Sequence, residues 1–288
     1  MREQQVAAGP QIAGGSGWAL AHLAEGRAVP LFREIPADLD TPVGTYLKLR
    51  DRGPSFLLES VEGGESLARF SFVGSAPRAT LRMRDGRATL RRADAPDVQT
   101  DFDDPLDSVA ELLNERLVIP NPELPRFQGG AVGYLGYDAA AQFEILPVPS
   151  NDTLGVPDGI FLYCDDLIVF DHVRQVMRVV CLATPEADPN AALAAAQRRI
   201  DALTARVQAP LTSRAPVHLP NGDHTVTYSK SRAEFERMVE RAKEYIAAGD
   251  VLQVVPSLRL SRRLSVEPFE VYRALRRVNP SPYMFYFD

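Results

Sequence analysis

The sequence predicts a chain of mixed helices and antiparallel strands, and three observations carry that expectation. Ala79–Arg84 and Arg87–Leu90 flank Asp85-Gly86, the two-residue turn that suits strands of native twist. Leu81 and Met83 fall on one face there while Arg82 and Arg84 face water, the pattern of an antiparallel sheet solvated on one side. Ile160–Phe170 and Val176–Ala183 read as a second hairpin around Asp171-His172-Val173-Arg174. Finally, Phe235, Met238, Val239, Ala242 and Ile246 recur at helical spacing behind Ser231-Arg232-Ala233-Glu234, which fits a capping box.

In chain order, residues 1–27 read as a poorly ordered lead-in with a short helix around Trp18–Ala24. Asp40-Thr41-Pro42 starts a helix over Val43–Asp51, and Gly53-Pro54 ends it. Ser55–Val61 follows as a strand, Glu62–Glu65 as a loop, and Arg69–Gly74 as extended chain with Phe70, Phe72 and Val73 directed to a core. The acidic run Asp101–Asp104 leads into a helix, Pro105–Leu117, with negative charge where the helix dipole favours it. Phe127–Asp138 is strand-like but broken by glycines, a sign of close backbone approach; it lacks the Gly-Lys-Ser/Thr ending of a phosphate loop. Asp188–Val207 reads as a surface helix.

Residues 208–225, with Pro210, Pro216, Pro220 and Asn221-Gly222, form the best boundary. It separates a segment 28–207 from a segment 226–288. In the second segment Gly249 closes the capped helix, Val251–Leu260 reads as a strand interrupted by Pro256, and Pro268–Val278 is a helix. Tyr283–Phe287 is a final strand, and with no cap or polar tail after it the chain reads as cut inside a larger domain.

Composition narrows the function. A formal charge of −6 argues against a dedicated nucleic-acid surface. No run approaches the roughly 18 apolar residues of a membrane span, and the polar, Gly-rich start lacks a signal-peptide core, so a cytoplasmic location is expected. Cys164 and Cys181 read as reduced core residues, with a bridge left open. His22, His172, His218 and His224 are scattered without metal-ligand spacing.

Two stretches carry candidate chemistry. Phe56-Leu57-Leu58 ends in Glu59-Ser60, a carboxylate and a hydroxyl that suit the ammonium and carboxylate of a free amino acid. Asn279–Tyr286 holds two prolines before an aromatic-rich strand, which offers a stiff, apolar wall. Taken alone, the same residues also read as a core strand and as a turn followed by a strand.

Four pieces, in order, resemble anthranilate synthase component I, a chorismate-using family. They are Leu57–Ser60, the Gly-rich Gln128–Asp138, Tyr245–Ser257 and Asn279–Tyr286, and the likeness runs from about Pro30 to Asp288. The resemblance implies an α+β fold of two packed antiparallel sheets flanked by helices, with an N-terminal regulatory domain and a chorismate-binding domain that is incomplete here. It implies that Glu59, Ser60, Pro282, Tyr283 and Met284 line a feedback site for L-tryptophan. Ser60 would hydrogen-bond the ligand, and Pro282 and Met284 would wall the indole.

The implied reaction converts Mg²⁺-bound chorismate and ammonia to anthranilate and pyruvate, the ammonia coming from a glutamine amidotransferase subunit. Gln253 stands where related isochorismate and salicylate synthases carry a water-activating lysine; an amide takes no proton at neutral pH, which fits amination by ammonia. Gln253 is therefore a candidate active-site wall. The catalytic and metal-binding residues of such an enzyme are expected beyond position 288, so the chain alone is expected to be inactive. Aminodeoxychorismate synthase component I and a non-catalytic tryptophan-binding module are the alternatives.

Overall fold

The computed structural model describes residues 15–50, 53–60, 69–146, 152, 154–211 and 225–288. The expected lead-in up to residue 14, the Glu62–Glu65 loop, His218, His224 and most of the 208–225 boundary lie outside the described residues. The chain divides into two compact units, Met1–Thr212 with Asn279–Asp288, and Ser213–Val278.

The first unit opens with a helix α1, Gly15–Ala24, whose Ala19 and Leu23 are buried. Strand β1, Val29–Pro36, follows, then helix α2, Pro42–Leu49. Thr41 caps α2 by accepting from the Gly44 amide at 3.0 Å, and Pro42 occupies the first turn, where a missing N–H costs nothing. The strands β2 (Ser55–Ser60), β3 (Phe70–Ser75), β4 (Ala79–Arg84), β5 (Arg87–Arg92) and β6 (Ala95–Asp101) come next. Helix α3 spans Pro105–Asn114, capped by Asp104, and leads to β7, Gly130–Leu135. Then come β8 (Gly159–Cys164), β9 (Asp166–Asp171), β10 (Val176–Ala183) and helix α4 (Pro189–Gln208).

These strands make two antiparallel sheets. One has five strands in the order β6-β5-β4-β8-β7; the other has six, in the order β1-β10-β9-β3-β2, closed by β13, Tyr283–Phe287. The sheets pack face to face: Phe56 of β2 clusters with Val132 of β7 and with Leu162 and Cys164 of β8. Glycine permits close approach within each sheet, between β3 and β2 and between β7 and β8. A Cβ on Gly74 would stand 2.2 Å from the Phe56 ring, and one on Gly133 would stand 1.9 Å from the Ile160 carbonyl oxygen. The close approach expected from the glycines of 127–138 is therefore realised at Gly133. The fold is α+β, as expected.

The second hairpin needs correction. Ile160–Phe170 is not one strand: it breaks at Asp165 into β8 and β9, which belong to different sheets, and only β9 pairs with β10. A run buried on both faces carries no alternation to show where the sheet changes. Asp165 marks the corner, accepting from Arg116 and ion-paired with Arg78. Helix α4 also differs from the expected surface helix. Its Ala192, Ala196, Ile200 and Val207 are buried, and it packs on β10, because small alanines let the helix lie close to the sheet. Cys164 and Cys181 are free and buried.

The second unit contains β11 (Thr227–Tyr228), helix α5 (Arg232–Ala248), β12 (Leu260–Ser261) and helix α6 (Pro268–Val278). The capping box of α5 is complete, and Gly249 ends the helix in the left-handed region at φ 82°. The expected strand over Val251–Leu260 does not form. Only Leu260 and Ser261 pair as strand, with Tyr228 and Thr227, and the pairing runs out at Arg259, whose carbonyl accepts from the Ser229 amide at 2.9 Å; a strand requires a neighbour along its length.

Candidate effector site on the edge of the six-stranded sheet

The two stretches that carried the sequence argument meet. β13 runs antiparallel to β2 with Tyr283 opposite Ser60, Met284 opposite Glu59, and Phe287 opposite Phe56. The ladder closes on a reciprocal pair: the Ser55 amide donates to the Asp288 carbonyl at 3.0 Å, and the Asp288 amide to Ser55 at 2.9 Å. Sequence separations above 220 residues are thereby reduced to one strand spacing, about 4.8 Å.

Successive strand residues point to opposite faces, and directly opposed partners share a face. Ser60 and Tyr283 therefore lie on the face that carries Leu58, Phe285, Phe56 and Phe287 toward the five-stranded sheet. Glu59 and Met284 lie on the reverse face with Tyr286, where Tyr46 of α2 meets the Tyr286 ring edge-on at 5.8 Å. The five predicted residues are thus neighbours in space but are split between faces. Pro282 precedes the strand and is exposed.

The two faces offer different chemistry. Glu59 is 4% exposed and Met284 6%, so the reverse face presents a buried carboxylate beside a polarisable thioether. On the front face Tyr283 and Phe285 are about two-thirds exposed, at 65% and 64%. An exposed phenol and phenyl beside a serine hydroxyl make a shelf able to stack a planar ring and hydrogen-bond a polar group. Beneath Tyr286, the Tyr46 hydroxyl shares a hydrogen bond with Ser55 Oγ at 3.0 Å and lies 3.5 Å from the Asp288 carboxylate. Burial pushes the Tyr46 phenol up to about 12, so it stays protonated and anchors the base of the ladder.

Gln253 lies in the second unit, exposed, in the stretch that forms no strand. Among the described residues no group of three or more His, Cys, Asp or Glu side chains is arranged to hold a metal ion, so the described residues supply no donor set for magnesium. Nor is any described helix long and apolar enough to cross a membrane.

Sequence reasoning passed over one charged centre. Arg178 sits mid-strand in β10, between Met177 and Val179, and is only 5% exposed. An arginine inside an otherwise apolar strand was the available signal.

The packed pair of antiparallel sheets, with its edge strand drawn from the far end of the chain, is the architecture of a known class. The sequence profile of chorismate binding enzymes matches residues 53–288, and the chain belongs to that family. More particularly, it is similar to anthranilate synthase component 1 of Pseudomonas aeruginosa, 38% identical over 265 residues covering 90% of this chain and 54% of that protein. The Thermus thermophilus protein of the same name is 42% identical over 266 residues, covering 91% and 54%. Among solved structures, anthranilate synthase component I from Streptococcus pneumoniae superposes with a TM-score of 0.57 at 27% identity, covering 86% of this chain and 53% of that one. The chain spans about half the length of the curated relatives it matches.

Proposed function

We propose that this chain is the regulatory part, and the opening of the catalytic part, of an anthranilate synthase component I that binds L-tryptophan as feedback inhibitor. The observation that carries the reading is the direct opposition of Ser60 with Tyr283 and of Glu59 with Met284. Residues 28–207 would be the regulatory domain, and 226–288 would begin the chorismate-binding domain. β13 lies in sequence at the end of that second segment yet completes the first unit's sheet, so the β2–β13 edge is built from strands of both sequence segments.

The front-face shelf of Tyr283 and Phe285 suits stacking of an indole, with Ser60 hydrogen-bonding the amino-acid end. Displacing or reshaping β13 on binding would then bias the domain whose chain continues from it. Coupling of this kind typically amounts to about 1–3 kcal/mol and is reciprocal, so chorismate would weaken tryptophan binding by the same factor.

On this reading the intact enzyme aminates chorismate with ammonia from a glutamine amidotransferase subunit in the cytoplasm and releases anthranilate and pyruvate. Magnesium would supply charge neutralisation for the departing ring hydroxyl, held by residues outside these 288. Gln253 would be a wall of that site. No catalytic residue is assigned to this chain, and alone it is expected to make no anthranilate.

The test is calorimetric titration of L-tryptophan into this chain and into a Ser60→Phe variant. One-to-one binding to the parent, reduced at least tenfold by the added ring, is expected. Absence of binding, or equal binding by both proteins, would remove the shelf from the regulatory account.

A further inference from the structure

A concavity of about 600 Å³ opens in the first unit where β1, β3 and β10 meet the Pro122–Pro125 turn. Its walls are Phe32 and Phe70, and three guanidinium groups reach it: Arg69, Arg174 and Arg178. The three are in different states. Arg69 is committed to a two-point pair, donating Nε and Nη2 to the two Asp171 oxygens at 3.1 and 2.8 Å, with its guanidinium 4.8 Å from the Phe70 ring centre. Arg178 is half committed: Nε reaches Glu34 at 2.9 Å and the group lies 5.6 Å from the Phe32 ring centre, but its terminal nitrogens have no partner among the described residues. The Arg174 side chain has no partner among the described residues; only its backbone amide is engaged, with Asp171 at 3.3 Å.

The remaining Arg178 donors face the concavity, where water or a ligand can accept from them, and a charge-assisted pair there is stronger than a neutral hydrogen bond. Asp171 and Glu34 are already spent on Arg69 and on the Arg178 Nε. Among the described residues the only other acid on the wall is Glu123, exposed at the rim with no side-chain partner, which would repel a dianion more than a monoanion. The planar fork of arginine matches a carboxylate in two-point contact, and Phe32 and Phe70 supply an apolar bed beside it.

We propose that this concavity is a binding site for a small monocarboxylate with an aromatic or apolar body. The carboxylate takes its hydrogen bonds from Arg178 Nη and Arg174, and the body rests on Phe70 and Phe32. Arg69 and Asp171 hold the site's shape and do not bind the ligand. The proposal stands on these residues alone and does not depend on tryptophan regulation.

Benzoate is the probe, titrated into this chain with binding followed by line broadening of the benzoate proton resonances, and benzamide is its uncharged isostere. Saturable benzoate binding is expected, weakened at least tenfold by Arg174→Ala and by Arg178→Met, with benzamide weaker than benzoate by a similar factor. Arg174 is exposed, so its variant decides the matter if Arg178→Met does not fold. Unsaturable broadening, equal binding of benzamide, or binding unchanged by Arg174→Ala would overturn the proposal.

Discussion

Tyr283–Phe287 and Val251–Leu260 read alike in the sequence, as apolar runs close to proline, yet only the first is a strand. The difference lies outside the runs themselves. Tyr283–Phe287 meets β2, whose outer edge offers free backbone groups in register, whereas residues 251–259 meet no strand among the described residues. The two surrounding units differ in the same way. In the first, α4 buries Ala192, Ala196, Ile200 and Val207 against a sheet; in the second, α5 has a correct cap, a correct C-terminus and a helical apolar stripe, but no buried residue. Local signals fix an element's type, and burial depends on what lies opposite it.

That contrast can be broken most severely at Phe56, which is fully buried between the two sheets. Phe56→Ala is expected to cost about 3–5 kcal/mol, read from the shift in urea midpoint of the first unit. A loss under about 1 kcal/mol would mean that the sheets are not packed through this ring. A sharper comparison sets helix against helix. Ile200→Ala on α4 should cost about 2–5 kcal/mol, whereas Val239→Ala on α5 should stay within about 0.5 kcal/mol. Equal costs would show that the α5 face is covered.

Asp171 gives the next effect. Burial pushes its carboxyl up, but the Arg69 hydrogen bonds, the Arg174 amide and the charges of Arg69 and Arg178 outweigh that and hold it below the usual range. A carboxyl held low stabilises the fold above its unfolded pKa, about 3.9, and that contribution is lost as pH falls through the folded value. Asp171→Asn should therefore cost about 1–3 kcal/mol at neutral pH, a range kept modest because Arg69 is 40% exposed. The two proteins' stabilities should converge below about pH 4 in denaturant titrations, and a gap independent of pH would contradict the ion pair. The smallest effect belongs to Ser231→Ala, which removes the α5 cap and should lower helix stability by about 0.5–1 kcal/mol, measured as lost helical circular dichroism on warming.

Much of the fold was legible where the rule is local. Thr41 and Ser231 announced their helices, Asp85-Gly86 its hairpin, and Gly249 its helix end. What was hidden is what depends on distant partners. β6, Ala-Pro-Asp-Val-Gln-Thr-Asp, is exposed along its length and gives no hydrophobic alternation, so it reads as loop. The β8–β9 corner at Asp165 is hidden because both strands are apolar and only one residue separates them. At the candidate site, the residue types singled out two stretches, the resemblance joined them, and the structure pairs them as neighbouring strands. The split of Glu59 from Ser60 was also legible, since adjacent strand residues must face opposite ways. The guanidinium cluster was less so, because Arg69, Arg174 and Arg178 converge only when β3 and β10 flank β9.

The candidate effector site requires the register of β13 against β2. Backbone proton contacts across that pair, measured by nuclear Overhauser spectroscopy on the labelled chain, test it directly. The account predicts cross-strand contacts linking Tyr283 with Ser60 and Phe285 with Leu58. Contacts displaced by one residue would put Ser60 and Tyr283 on opposite faces, and their absence would leave the two stretches apart; either result contradicts the site.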